Sequence, residues 1–302
     1  MIRHLRHNEI DKGAWDALLA RSGHARWYAR SRVLDLAAPG WEALVDTDAG
    51  AIMPLTWRRK WCVDYLFNPY GLQQLGVFAP VLDAALSEAF LAAIPGRFRY
   101  VDIWLNEAMA PSAQRGAQLM PQRNQVLRAP ADAIALRAAY AEGHRRNLRK
   151  GSPPAMITGG IDPAGFIDLF ERTTGKRYGG SPPGSLPRLQ AVIADALAEG
   201  TGNITGVHDG TTLVAAICTI TWGGRSILLK SANDERGQAM HAMFHLVDHW
   251  IATHAGTGVV LDFAGSNTPG VARFNAGFGA TATTYIRFRW NRLPWPFRYM
   301  RP

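Results

Sequence analysis

One acid stands among apolar neighbours: Asp262, in Val259-Val260-Leu261-Asp262-Phe263. A carboxylate in such a strand costs free energy unless it is paired or put to use. Desolvated, it could take a proton from an acceptor amine as a general base. It could instead hold the turn Gly265-Ser266-Asn267 by hydrogen bonds, and the residues alone leave both roles open. A second constellation is Asp234-Glu235-Arg236-Gly237-Gln238-Ala239, leading into a long apolar-striped segment. Free N–H groups and the helix dipole favour an anion at a helix start, and a glycine there lets a phosphate come close. Arg236, Gly237, Gln238 and Ala239 are therefore candidates for holding the phosphates of a cofactor-like ligand. An ordinary helix start with glycine in its turn explains the same residues, and the charge of Asp234 opposes a phosphate.

His241, His245 and His249 repeat every four residues beside Asp248. Two histidines at that spacing can chelate a metal. With the core stripe Met240, Phe244, Val247 and Ile251 opposite, the reading favours a solvated polar face, and no metal is expected. Cations gather in two further places. Arg145 with Arg149, and Arg146 with Lys150, are i,i+4 pairs at a helix end, where cations also suit the dipole. Lys176-Arg177-Tyr178 follows the next helix. Most of these are expected to be solvated, with one or two touching an anionic substrate. The tail from Tyr285 to Pro302 mixes arginines with Trp290, Trp295, Phe297 and Tyr299. That mixture suits peripheral contact with a membrane interface, although a strand plus a packed tail explains it as well.

The elements that must position these groups follow from periodicity. Helices are predicted over 11–20, 31–38, 81–94, 132–150, 163–173, 186–199, 238–254 and 269–274. Strands are predicted over 2–5, 42–46, 51–58, 61–66, 98–105, 124–128, 153–158, 203–208, 212–221, 226–231, 259–263 and 282–290, with 108–122 as loop. Asp209-Gly210 and Gly223-Gly224 are hairpin signals, so three strands form a meander. The long helix then crosses over to a strand that should run parallel to its predecessor. The first half follows a looser version of the same plan.

Length and composition agree with two domains. The chain has 302 residues, 47 % of them hydrophobic and 19 % charged, enough for a sizeable core and too apolar for disorder. The two cysteines, Cys62 and Cys218, build neither a disulfide framework nor a zinc cluster. No run approaches the roughly 18 apolar residues of a membrane span, and the N-terminus shows no secretory signal. A cytoplasmic protein is expected. Net charge is +9, and only five of the 33 cations are lysine, so the excess is arginine, the residue of bidentate phosphate and carboxylate binding.

Three strings carry a resemblance. Arg145-Arg146-Asn147-Leu148-Arg149-Lys150 resembles the Arg-rich helix of FemAB/FemX-like tandem-GNAT proteins. Leu261-Asp262-Phe263-Ala264-Gly265-Ser266 followed by Phe274-Asn275-Ala276-Gly277-Phe278-Gly279 is similar to that family's strand-then-glycine stretch. Asn68-Pro69-Tyr70-Gly71 and Gln73-Gln74-Leu75-Gly76-Val77-Phe78 resemble a loop of uncharacterised bacterial relatives. The resemblance implies an α/β fold with mixed sheets. Two GNAT-like domains would lie side by side, residues 1–128 forming a degenerate one and 129–302 the other. It implies an acyltransferase that moves an acyl group from acyl-CoA, bound where two parallel strands splay, to a small-molecule or peptide acceptor by direct attack. Asp262 would then be the base, with Tyr70, Gln74, Lys230, Ser266 and Asn267 joining the expected substrate-binding residues. Two signatures depart from the pattern. The place of the Tyr that protonates the leaving thiolate holds Phe274, and the Phe-Lys pair of FemX-like proteins is Phe274-Asn275. These departures keep two alternatives open: aminoacyl-tRNA-dependent transfer to a cell-wall or peptide amine, and a binding module without catalysis.

Overall fold

The computed structural model describes residues 1–112, 116–150, 157–177, 179–265, 267–295 and 297–299. Two compact units divide the chain, residues 1–123 with 284–302, and residues 124–283. The expected division after residue 128 groups 284–302 with the second half, whereas by compactness this last segment belongs to the first unit.

Before the first crossing lie β1 (Arg3–Leu5), α1 (Lys12–Ala20), α2 (Ser31–Ala37), β2 (Glu42–Asp46), β3 (Ala51–Leu55), β4 (Trp57–Lys60), β5 (Val63–Phe67), α3 (Ala84–Ala92) and β6 (Phe98–Trp104). Strand β7 (Ala117–Arg128) carries the chain into the second unit. There follow α4 (Ala133–Ala139), α5 (Glu142–Lys150), β8 (Ile157–Thr158), α6 (Pro163–Phe170), α7 (Ser185–Ala198), β9 (Gly202–Asp209), β10 (Thr212–Trp222) and β11 (Arg225–Asn233). Then come α8 (Glu235–Ala239), α9 (Ala242–Thr253), β12 (Val260–Asp262) and α10 (Pro269–Gly277), and β13 (Thr281–Asn291) returns to the first unit.

In the first unit β1, β2 and β3 form an antiparallel sheet. Beside it run β4, β5, β6 and β13, with β5 and β6 parallel and the other pairs antiparallel. In the second unit the order is β7, β12, β11, β10, β9, β8, and only β11 and β12 are parallel. Each unit therefore holds one parallel pair bridged by a helical crossover, α3 in the first and α8 with α9 in the second. The first core gathers Leu55, Leu66, Phe90, Phe98, Val101 and Phe288. In the second, Val247, Trp250, Ile251, Leu261 and Phe278 pack together. Aspartates start the helices: Asp11, Asp83, Asp132, Asp162 and Asp234 each accept a first-turn N–H, a cap typically contributing about 1 kcal/mol. Among the described residues, no helix is long and apolar enough to cross a membrane.

Four local expectations change. Residues 117–122, read as loop, belong to the long strand β7. The stretch 51–58 divides at Thr56 into β3 and β4, which belong to different sheets. The helix expected over 132–150 breaks at Tyr140 (ψ 149°). Tertiary partners explain the break: the Tyr140 hydroxyl donates to Asp248 at 3.1 Å, and the Ala141 N–H donates to the Gly277 carbonyl at 2.9 Å. The helix expected over 238–254 breaks at His241, whose φ is +53°. That break turns the histidine face, so His245 is buried rather than solvated, and burial pushes its pKa down.

Candidate functional site

Parallel pairing between β11 and β12 runs from Arg225–Val260 to Ile227–Asp262. From there β11 continues to Asn233, while the other chain turns off through Ala264 (φ +50°) and Gly265 (φ +122°). Two parallel strands that part in this way open a gap between their C-terminal ends, the usual place for a ligand in an α/β sheet.

Asp262 closes the root of that gap and is fully buried. Its Oδ2 accepts from Arg225 Nε at 2.7 Å and Nη2 at 2.6 Å. Its Oδ1 accepts from Asn124 Nδ2 at 2.8 Å and the Ala264 N–H at 2.9 Å. Asn124 Oδ1 in turn accepts from the Gly265 N–H at 3.0 Å. One carboxylate thus ties β7, β11, β12 and the turn together. A base needs an accessible lone pair, and here both oxygens face donors without contact to solvent. The geometry favours the structural role that the sequence left open beside catalysis.

At α8, the Asp234 carboxylate accepts from the Gly237 N–H at 2.9 Å, and the Asp234 carbonyl from the Gln238 N–H at 2.9 Å. These amides are engaged within the chain. Gly237 is also required by packing: a Cβ there would lie 2.7 Å from the Val214 carbonyl oxygen and would run into Asn233 Oδ1. The glycine of this motif is explained without a ligand, and Ala239 is exposed at the end of a five-residue helix.

The side chains around α8 act differently. Arg236 and Gln238 line a depression of about 530 Å³ together with Arg172, Lys176 and Arg177. Arg172 lies in a π-helical turn, Glu171–Gly175, that continues α6, and Lys176 and Arg177 follow directly after it. Such turns occur often at functional sites. Four cations face two carboxylates in the lining, Asp234 and Glu235. Arg172 is held 3.6 Å from Asp234, and Arg236 3.4 Å from Asp209. Among the described residues, Lys176 and Arg177 have no carboxylate partner, so the rim presents net positive charge to an anion. Lys230 lies on β11 just behind this wall. Its Nζ is 5.6 Å from the ring centre of Phe170, the residue that leads into the π turn. Burial pushes its ammonium down to about 8.

A model of the acetyltransferase (GNAT) domain matches residues 112–270. The chain belongs to the GNAT acetyltransferase-domain family. No curated protein matches it by sequence. Solved structures share the fold at low identity. A FemX structure is 11 % identical with a TM-score of 0.64, covering 94 % of this chain and 96 % of its own. A conserved protein of unknown function from Bacteroides thetaiotaomicron is 11 % identical with a TM-score of 0.60, covering 96 % and 99 %. A tandem GNAT protein from the clavulanic acid biosynthesis pathway is 14 % identical with a TM-score of 0.54, covering 97 % and 99 %. These likenesses establish a mixed α/β GNAT fold of the FemX-like, tandem type.

Within this GNAT chain the remaining candidates separate. Lys176, Arg177, Arg236 and Gln238 come together, with Lys230 behind them. Arg145 and Arg149 stand on the exposed side of α5, where Arg145 donates to the Ala138 carbonyl at 2.6 Å. The other side of α5 is anchored by His144, which is packed among Phe244, Phe274 and Phe278 and bonded to the Phe274 carbonyl at 2.8 Å. Phe274 is a member of this aromatic cluster, and Asn275 is buried, its amide on Gln125 at 3.2 Å. Gln74 lies in the first unit with no exposed surface, its amide closed onto Glu107 at 3.0 and 3.1 Å. Its polar atoms hold a loop rather than face solvent. Tyr70 is half-buried and Asn267 exposed, while Tyr178 and Ser266 lie outside the described residues. Sequence reading missed Arg172 and Arg225. Arg172 was legible as the first member of an Arg172, Lys176 i,i+4 pair. Arg225 was not, because its partner Asp262 is 37 positions away.

Proposed function

We propose that the protein transfers an acyl group from an anionic thioester donor of the acyl-CoA type to an amine or hydroxyl acceptor. The observation that supports this reading is the cationic depression where β11 outruns β12 and α8 begins. Lys176, Arg177 and Arg236 hold the donor's phosphates by charge-assisted hydrogen bonds, a task for side chains here because the Gly237 and Gln238 amides are engaged. The donor supplies an activated carbonyl. In this reading the acceptor attacks that carbonyl directly, the carbon–sulfur bond breaks, and Lys230, as a neutral amine, takes the acceptor's proton. The lysine then returns the proton to the departing thiolate, which Phe274 cannot do.

Calorimetry with coenzyme A tests the donor site. The native protein is expected to bind, and Lys176→Glu with Arg177→Glu to weaken binding by at least about tenfold, since each lost charged hydrogen bond is worth roughly 1.5–3 kcal/mol. Binding of tRNA in place of coenzyme A would move the reading to aminoacyl-tRNA-dependent transfer. Binding of neither would leave the scaffold as a module without this chemistry.

A further inference from the structure

We infer that one end of the first unit's sheet is a docking surface for an anionic lipid bilayer. This inference stands apart from the acyl-transfer reading and uses none of its residues. It starts from a turn made of unsuitable residues. Strands β4 and β5 pair through Lys60–Val63, leaving a two-residue connection, Trp61-Cys62. Both residues have positive φ, +47° and +61°. A two-residue hairpin of this kind favours Asn-Gly, because side chains beyond Asn and Asp are strained in the left-handed region. The strain gains nothing inside the protein. Trp61 is 64 % exposed at the apex, and Cys62 beside it is exposed as well.

Cations stand directly behind the apex. Lys60 lies over the Trp61 ring, its Nζ 4.5 Å from the centre, and Arg59 and Arg58 follow at about 3.3 Å per residue along β4. Arg59 is paired with Asp64 at 2.6 Å, and Arg58 leans over Phe67 at 4.2 Å, toward the end of β5 away from the turn, so Lys60 is the cation nearest the apex.

A second segment reaches the same end. Asp64 of β5 pairs with Phe98 of β6, so both strands start at the end that carries the turn. Strand β13 runs antiparallel to β6 and finishes there, with Asn291 opposite Tyr100 and the Arg292 N–H on the Arg99 carbonyl at 2.8 Å. The chain leaving β13 carries Trp295, Phe297 and Tyr299, which are 77 %, 51 % and 85 % exposed. The hairpin apex and the start of a segment with three exposed aromatic rings thus share one sheet end. Lys60 and Arg99 are exposed at this end, while Arg59 and Arg97 are paired with Asp64 and Glu42 and the Arg292 Nε and Nη2 are buried.

Aromatic rings outermost and long cations one to three residues behind reproduce the depth order of a bilayer interface. Trp and Tyr rest at the headgroup level, and Lys and Arg extend their heads to anionic phosphates. A nucleic acid instead calls for a cationic groove that follows a backbone, and this end offers a projecting hairpin tip.

Sedimentation of the full chain with phosphatidylglycerol–phosphatidylcholine vesicles tests the inference. Binding is expected to the anionic vesicles, to weaken strongly at roughly 0.5 M salt, and to be absent with phosphatidylcholine alone. Lys60→Glu with Arg99→Glu is expected to lower partitioning by more than about tenfold, at roughly fivefold for each cation removed near the surface. The decisive variant is Trp61→Asn with Cys62→Gly. It gives the turn the residues it favours, so the melting temperature should rise while vesicle partitioning falls several-fold. A more stable variant that binds vesicles like the native protein would overturn the inference. So would a native protein that ignores both vesicle types, whether or not it binds tRNA or self-associates through this end.

Discussion

Asp262→Asn is expected to lower the melting temperature by about 10 °C while leaving turnover per folded molecule nearly unchanged. The carboxylate is fully buried against Arg225, itself largely buried. Removing one partner of such a pair leaves the other charge uncompensated, at a cost of about 3–5 kcal/mol. Asparagine keeps the shape and one acceptor, which places the cost near the lower bound. For chains of this size each kcal/mol moves the melting temperature by roughly 2–4 °C. Thermal unfolding and an acyl-transfer assay on one preparation separate the two roles of the acid. A stable variant with turnover reduced by the roughly 10²–10⁴-fold of a lost general base would return Asp262 to the chemistry.

Lys230→Met is expected to act on the chemistry instead: turnover per folded molecule falls by about 10²–10⁴-fold. The sign of the pH dependence follows from the chemistry. The proton acceptor is the neutral amine, and burial brings the ammonium down to about 8. Native turnover should therefore rise with pH and level off above about pH 8, and the variant's residual rate should lose that step. Stability has its own sign. A lysine depressed in the folded state makes the unfolded chain the better proton binder, so this residue costs stability below about pH 8. The cost is relieved as pH climbs toward the unfolded value. A variant that unfolds early yet retains full turnover per folded molecule would remove Lys230 from the reaction.

How much of this was legible in the sequence depended on the range of the interactions involved. The meander read at 203–208, 212–221 and 226–231 is β9, β10 and β11 within two residues at each end, because Asp209-Gly210 and Gly223-Gly224 are local turn chemistry. Aspartate caps such as Asp162 before Pro163 were visible for the same reason. The break at Tyr140 was invisible, since it depends on Asp248 and Gly277, more than a hundred positions away. The first part of β7, 117–122, was hidden in a stretch without apolar alternation, while 124–128 was legible as strand. At the site, type and spacing picked out Lys176, Arg177 and Arg236, and only the fold brought them together. Gly237 and Gln74 were singled out for ligand contact, but one is fixed by the Val214 carbonyl and the other by Glu107. Sequence marks such residues as special without saying whether a neighbour or a ligand makes them so.

The return of β13 to the first unit has a consequence for how the protein is made. Arg287 clasps Asp102 at 2.6 Å across 185 positions of chain, and Phe288 is fully buried in the core beside β6. A ribosome delivers the N-terminal segment first, and domains ordinarily fold in that order as they emerge. Here β6 waits for a partner 185 positions later in the chain. Until β13 has been made, β6 has an open edge and its core lacks a ring, and an open strand edge in a nascent chain invites wrong pairing. The second unit, contiguous from 124 to 283, is free to fold earlier, so the order of maturation runs against the order of translation.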